Sequence, residues 1–443
     1  MAVWFGIDYF HTNPAGVCSV FQAKKPLEFH GLLASLFYVA ASRPAKSPRD
    51  KTCIIRLQSC VNRCKAYERG QNARGGLSVM ARSSGILADK NIAALFRKGV
   101  LASEKALDKD QIQPASLDLR LGEKAYRVRA SFMPGPGIRV ADKLERLKLH
   151  EIDLMEGAVL ETGCVYIVPL LETLALPDNL SAATNPKSST GRLDVFTRVI
   201  TDGAHEFDKI PAGYHGPLYL EISPRTFPVV VRTGSRLSQI RFRQGAGGLD
   251  ESTLHKLHVT DRLVSDEKPN ISGGGLALSI DLTGGADRLV GYRGKRHTGI
   301  IDVDQRAACD VLDFWEPIYD RGAQELVLDP NEFYILVSRE AVHVPPLYAA
   351  EMTPFDPLVG EFRVHYAGFF DPGFGSNQAE GKGARAVLEV RSHEVPFILE
   401  HGQIVGRLVY EHMLERPDAL YGKERGSHYQ AQGLKLSKHF KTA

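Results

Sequence analysis

Two glutamates in this chain sit inside apolar runs, Glu221 in Leu218-Tyr219-Leu220-Glu221-Ile222 and Glu389 in Val387-Leu388-Glu389-Val390. A strand turns every second side chain outward, so each could be a solvent-facing residue. A carboxyl turned inward instead would have a raised pKa and suit proton transfer. The pattern alone leaves both readings open. Upstream of each glutamate lies a small-residue turn closing on an aspartate. The first is Ala204-His205-Glu206-Phe207-Asp208 and the second is Ala367-Gly368-Phe369-Phe370-Asp371-Pro372-Gly373. Alanine and glycine at a hairpin tip let a flat ring approach the backbone and be read by main-chain groups. A third cluster, Lys187-Ser188-Ser189-Thr190-Gly191-Arg192, sets hydroxyls, a cation and a glycine turn before an arginine. Phosphate oxygens want hydroxyl and backbone donors at close range plus a guanidinium fork. The same residue types also make ordinary loops.

The elements that must carry these groups come in two copies. Tyr166-Ile167 and Tyr334-Ile335, Glu221 and Glu389, Pro228 and Pro396, and Gly234 and Gly402 are all 168 residues apart. One register held over so much chain indicates two copies of one domain, not a short-period solenoid. The copies differ where chemistry is at stake. In the register of the first copy's phosphate-like cluster, the second has Asp356 for Ser188 and Gly360 for Arg192.

Both copies read as strands. Segments 115–121, 125–130, 164–170, 217–222 and 227–232 are short, β-branched or alternating, and divided by Gly, Pro and Asp. Segments 276–282, 332–338, 384–390 and 396–400 repeat them. Asp89 is placed to cap a short helix carrying Ile92, Leu95 and Phe96, ended by Gly99. The expected layout is a first domain over 80–242, a linker over 243–272 with one helix-like stretch from Glu251, and a second domain over 273–443.

The 443 residues carry a net charge of +3. Residues 1–79 hold 11 Lys and Arg against 4 Asp and Glu, so the rest is net acidic, which argues against a nucleic-acid-binding body. No apolar run reaches the roughly 18 residues a membrane span needs. The first 79 residues show no persistent hydrophobic pattern and hold four of the six cysteines. They read as a disordered tail or an extension upstream of a true start at Met80. Cys60 and Cys64 have no partner pair at zinc spacing, and Cys164 and Cys309 read as core thiols of a cytoplasmic protein.

At this point the residues resemble a family. Residues 111–122, Gln-Ile-Gln-Pro-Ala-Ser-Leu-Asp-Leu-Arg-Leu-Gly, look like the opening of prokaryotic dCTP deaminases. Lys187 through Arg192 is similar to that family's triphosphate loop. Ala367 through Phe374, followed by Glu389, is similar to its base-binding hairpin and catalytic strand. Tyr421 through His428 and Gln432 looks like its C-terminal lid, with His428 where lysine is usual. The resemblance runs from residue 83 to 438, and its tandem form looks like the long two-domain members. It implies a mainly β chain with a few short helices, built as a tandem pair of dUTPase-like (β-clip) domains. It also implies a homo-oligomer, as a trimer or a pseudo-trimeric domain arrangement, with sites between domains.

The resemblance further implies dCTP as substrate, Mg²⁺ as companion of the triphosphate and no zinc. Lys187, Ser188, Ser189 and Arg192 would hold phosphate. Ala204, Asp208, Ala367, Asp371, Tyr421, His428 and Gln432 would contact substrate, and Glu389 or Glu221 would be the catalyst. The first copy has the loop without the lid, and the second has hairpin, glutamate and lid without the loop. That division suggests a composite site. Two other readings are a dUTP diphosphatase, alone or combined with the deaminase, and a non-catalytic nucleotide-binding regulator.

Overall fold

The computed structural model describes residues 8–12, 18–22, 82–354, 362–365, 368–376, 383–392, 394–422 and 432–441. The chain divides into two compact units, Met1–Met80 and Ala81–Ala443. In the first, Asp8–Thr12 pairs antiparallel with Cys18–Gln22, Phe10 opposite Val20. The remainder of that unit, with Cys60 and Cys64, lies outside the described residues.

The second unit is mainly β, with a few short helices. In its first half, Val165–Ala175 pairs antiparallel with His215–Pro224, setting Glu221 opposite Ile167. In its second half, Phe333–Val342 pairs antiparallel with Ala384–Ser392, setting Glu389 opposite Ile335. A second sheet in each half closes the core. Leu180–Pro186 pairs with Ser238–Gln244, and Tyr348–Pro354 with Ile404–His412. Even a polar detail recurs, since the Tyr166 hydroxyl accepts from Glu161 N and the Tyr334 hydroxyl from Asp329 N, both at 3.0 Å.

The expected strands form, and the helix over Asp89–Arg97 forms with Ile92 buried. Its cap differs from expectation. Ala88 is the N-cap residue, and the Asn91 side chain accepts from its amide at 2.9 Å. Asp89 is the first helical residue, and its carboxylate accepts from Asp418 N at 3.0 Å. The helix read from Glu251 runs to Asp261, with the Asp250 side chain accepting from Thr253 N at 2.7 Å. It buries Leu254 against the second core. The segment Ser272–Gly275 is the turn of a tight hairpin, because Ile271–Ser272 pairs with Gly275–Ser279. Helix Val140–Leu147 had no place in the sequence reading; it buries Val140 and Leu144.

The two halves interlock. Val229–Val231 pairs in parallel with Ile301–Asp302 of the second half. Phe314, Trp315, Leu436 and Phe440 are members of the first half's core. Trp315 packs edge-on against Phe227 and Phe440. Truncating such an aromatic to alanine costs about 3–5 kcal/mol. Ion pairs cross the same boundary: Arg243 to Glu411 at 2.7 Å, Arg232 to Asp302 at 2.7 Å, and Arg391 to Asp194.

Every described core residue lies beyond Met80. A chain starting at Met80 is therefore expected to unfold at the temperature of the full chain, within about 2 °C. A clear drop in the calorimetric midpoint would show that residues 1–79 support the fold.

Candidate active site

A cavity of about 390 Å³ lies where the halves meet. Its lining includes Lys187, Ser188, Ser189 and Arg192 from the first half, and Asp371, Glu389, Tyr421 and Gln432 from the second. These eight were singled out in sequence. Ala367 and His428 lie outside the described residues. Ala204, Asp208 and Glu221 do not line the cavity.

The phosphate-like cluster follows Leu180–Pro186 and forms one helical turn, Ser188–Gly191. Lys187 N donates to Leu237 O at 2.9 Å, which fixes the start of that turn on the neighbouring strand. The Lys187 ammonium pairs with Asp118. Arg192 is 3% exposed. It donates to Lys435 O at 2.9 Å and to Gln432 Oε1 at 3.2 Å, so it fastens the C-terminal segment over the cavity. Gln432 Nε2 in turn donates to Arg385 O at 3.2 Å.

Glu389 points inward, and solvent reaches 4% of it. Burial pushes its carboxyl up to about 8, against the pull of Arg192. The Arg192 Nε lies 3.8 Å from its Oε1. A carboxyl that changes charge near neutral pH can accept a proton and return it. The hairpin beside it is held from the first half. Arg241 donates to Asp371 Oδ1 at 3.0 Å and to Ala350 O at 3.0 Å. Its guanidinium lies 4.0 Å from the centre of the Phe369 ring. Burial also raises the Asp371 carboxyl. Gly373 has φ +97°, and a Cβ there would stand 2.8 Å from Leu420 Cβ and 3.0 Å from Tyr421 N. Only glycine lets the turn meet the segment that carries Tyr421.

The first half's equivalent region is arranged differently. Glu221 is also buried, at 1% exposure. Both glutamates therefore contradict the solvent-facing alternative. Arg198 donates to Glu221 Oε1 at 2.6 Å, and its guanidinium lies 3.6 Å from the Phe207 ring centre. The Ala204 carbonyl accepts from Gly135 N at 3.2 Å. Asp208 accepts from the Thr184 hydroxyl at 2.7 Å and from Val199 N at 2.8 Å, and its enclosure raises its carboxyl to about 6. Glu389 thus lines the cavity, whereas Glu221 is engaged by Arg198 and does not.

Several lining residues carried no mark in the sequence: Arg236, Gln239, Arg306 and Lys438. Each is separated in sequence from the groups it joins, and single Arg and Lys residues are common on any surface. Asp118 also lines the cavity, and it sits within the stretch 111–122 that carried the resemblance.

Known proteins match this arrangement. A family model described as 2'-deoxycytidine 5'-triphosphate deaminase (DCD) N-terminal domain covers residues 83–246, and the corresponding C-terminal domain covers 250–440. The chain is similar to a dCTP deaminase of Haloarcula marismortui, 33% identical over 163 residues, which is 36% of this chain and 80% of that protein. It is 31% identical over 162 residues to a dUMP-forming dCTP deaminase of Methanobrevibacter smithii, 35% of this chain and 79% of that one. Among solved structures it is similar to 2'-deoxycytidine 5'-triphosphate deaminase from Agrobacterium tumefaciens, with 74% identity and a TM-score of 0.73. That match covers 76% of this chain and all of the other. Two family domains in tandem, meeting at a cavity with a buried glutamate and a serine-arginine loop, make this chain a two-domain member of the dCTP deaminase family.

Proposed function

We propose that the chain hydrolyses dCTP to dUTP and ammonia in one cavity, its triphosphate held by the first half and its base by the second. The observation that carries this reading is Glu389, buried with its carboxyl raised to about 8, in the same cavity as Ser188, Ser189 and Arg192. Ionised Glu389 takes a proton from water, and the oxygen adds to cytosine C4. The carboxyl then returns the proton to the departing amino group, and the C4–N bond breaks. Such general acid–base action contributes roughly 10²–10⁴-fold. Ala367, by its resemblance to the family hairpin, would orient the water through its carbonyl.

Support for a tandem of two dUTPase-like β-clip domains comes from the strand pairings that recur 168 residues apart, Glu221 with Ile167 and Glu389 with Ile335. The domain limits proposed are 80–242 and 273–443, joined by 243–272. The assembly proposed is a homo-oligomer, as a trimer or a pseudo-trimeric arrangement of domains, which light scattering on the purified chain would read.

Mg²⁺ fits as a companion of the triphosphate. Asp118 Oδ1 is buried without a hydrogen-bond partner among the described residues, and it belongs to a residue lining the cavity beside Lys187. A carboxylate oxygen in that position suits a hydrated magnesium ion, which neutralises phosphate charge when bound. No His/Cys pattern of the zinc deaminases occurs in the sequence.

The test is to incubate the purified chain with dCTP and Mg²⁺ and identify the products. dUTP and ammonia are expected, with the rate lowered by EDTA and restored by Mg²⁺. Formation of dUMP would point to the combined deaminase–diphosphatase. Restoration by Zn²⁺ alone would overturn the mechanism.

A further inference from the structure

We propose that Arg306 and Lys438 join Lys187 to hold the terminal phosphate of the nucleotide, and so make the site select a triphosphate over shorter phosphate chains. This rests on the function proposed above and adds residues to it. All three cations line the cavity, and they come from three separate stretches of chain.

The juxtaposition of Arg306 and Lys438 is built by the backbone. Ala307 N donates to Lys438 O at 3.0 Å, and Ala308 N donates to His439 O at 2.9 Å. Asp302 shapes the turn that carries Arg306. It accepts from Asp304 N at 3.1 Å and is itself clamped by Arg232 at 2.7 Å. Ala307 takes a left-handed backbone, φ 48°, that alanine seldom adopts. The tail that carries Lys438 is fixed on its other side. His439 Nε2 lies 2.9 Å from Val303 O, and Ser437 Oγ lies 2.8 Å from both His439 Nδ1 and Ser189 O. Buried His439 and Ser437 therefore tie the turn, the tail and the phosphate-like loop together.

What this construction holds together is like charge. Lys438 is half-buried and faces Lys187 and Arg306, with Asp118 and Asp304 as the nearby acids. Asp118 also pairs with Lys187, and Asp304 also accepts from the Ser235 hydroxyl at 2.6 Å. Arg306 is exposed to the cavity and has no ion-pair or hydrogen-bond partner among the described residues. Burial, then Lys187 and Arg306, pull the Lys438 ammonium down to about 8. Three cations converging on one part-buried cleft focus a positive potential there that suits a polyanion. The charge that acts on Glu389 is that of Arg192, and none of these three cations is among its charge partners. A nucleotide with its base at Glu389 and its phosphates along Ser188 and Ser189 would end at these cations.

The experiment compares dCTP, dCDP and dCMP with Lys438→Met, Arg306→Ala and, as conservative control, Lys438→Arg. Binding is read by calorimetry in a Glu389→Gln background, so turnover does not intrude, and kcat/KM is read in the otherwise unaltered chain. Loss of one charged contact should weaken dCTP roughly 10–100-fold. dCMP should change less than about twofold, and Lys438→Arg should recover most of the loss. Lys438 must carry its proton to act, so dCTP kcat/KM should fall above about pH 8, and Lys438→Met should lose that alkaline limb. Equal weakening of all three nucleotides, or of none, would overturn the proposal. Failure of the unaltered chain to deaminate dCTP while the binding preference persists would overturn the proposed function and leave the subsite standing.

Discussion

Glu389→Gln is expected to lower kcat for dCTP by roughly 10²–10⁴-fold and to leave its dissociation constant within about threefold. The amide keeps the shape of the side chain and cannot accept the proton from water. The same change should stabilise the fold, and the sign follows from the carboxyl. In the unfolded chain it ionises near its usual 4.5, and in the folded chain it keeps its proton to about 8. Its preference for the proton thus contributes stability in full below pH 4.5, and that contribution is lost as pH rises to 8. Calorimetry should find the variant's midpoint above the parent's at pH 8 and level with it at pH 4.5. Glu221→Gln is the matched control. It should keep kcat within a few fold and cost about 1–3 kcal/mol, because Arg198 loses its partner in a part-buried pair. Loss of turnover in Glu221→Gln with retention in Glu389→Gln would transfer the chemistry to the first half.

Arg192→Ala carries the second large effect, because this arginine has two duties in the geometry. Its guanidinium lies in the cavity beside the serines, and it also holds Gln432 and Lys435 of the C-terminal segment. Loss of a charged contact predicts a KM for dCTP raised roughly 10–100-fold. Arg192 is also the cation that draws the Glu389 carboxyl downward against burial. Without it, the acid limb of kcat/KM, set by ionisation of Glu389, should move to higher pH. A KM increase with an unmoved acid limb would separate the two duties and remove the second.

Much of the architecture was legible because strand periodicity and internal register are local signals. The runs around Tyr166, Glu221, Tyr334 and Glu389 became paired strands, and the helix from Glu251 formed. The first copy's loop and the second copy's glutamate, both marked in the sequence, line one cavity. Three things were not legible. The direction of each glutamate depends on what packs against its strand, and alternation could not decide it. The closure of the first half by Arg198 over Phe207 depends on a contact between residues on different elements. Arg306 and Lys438 meet through backbone pairing between segments more than a hundred residues apart, which no motif records.

The placement of the last residues has a consequence for how the protein is made. Leu436 and Phe440 belong to the core of the half that is synthesised first, and Gln432 completes the surroundings of Arg192. The early half therefore leaves the ribosome with a gap in its interior that Leu436 and Phe440, made about two hundred residues later, fill. Vectorial folding from the amino end, common for multidomain chains, would here stop short of a finished domain. A nascent chain still lacking residues 432–440 would expose apolar surface around Phe227, and the surroundings of Arg192 would be incomplete until those residues emerge.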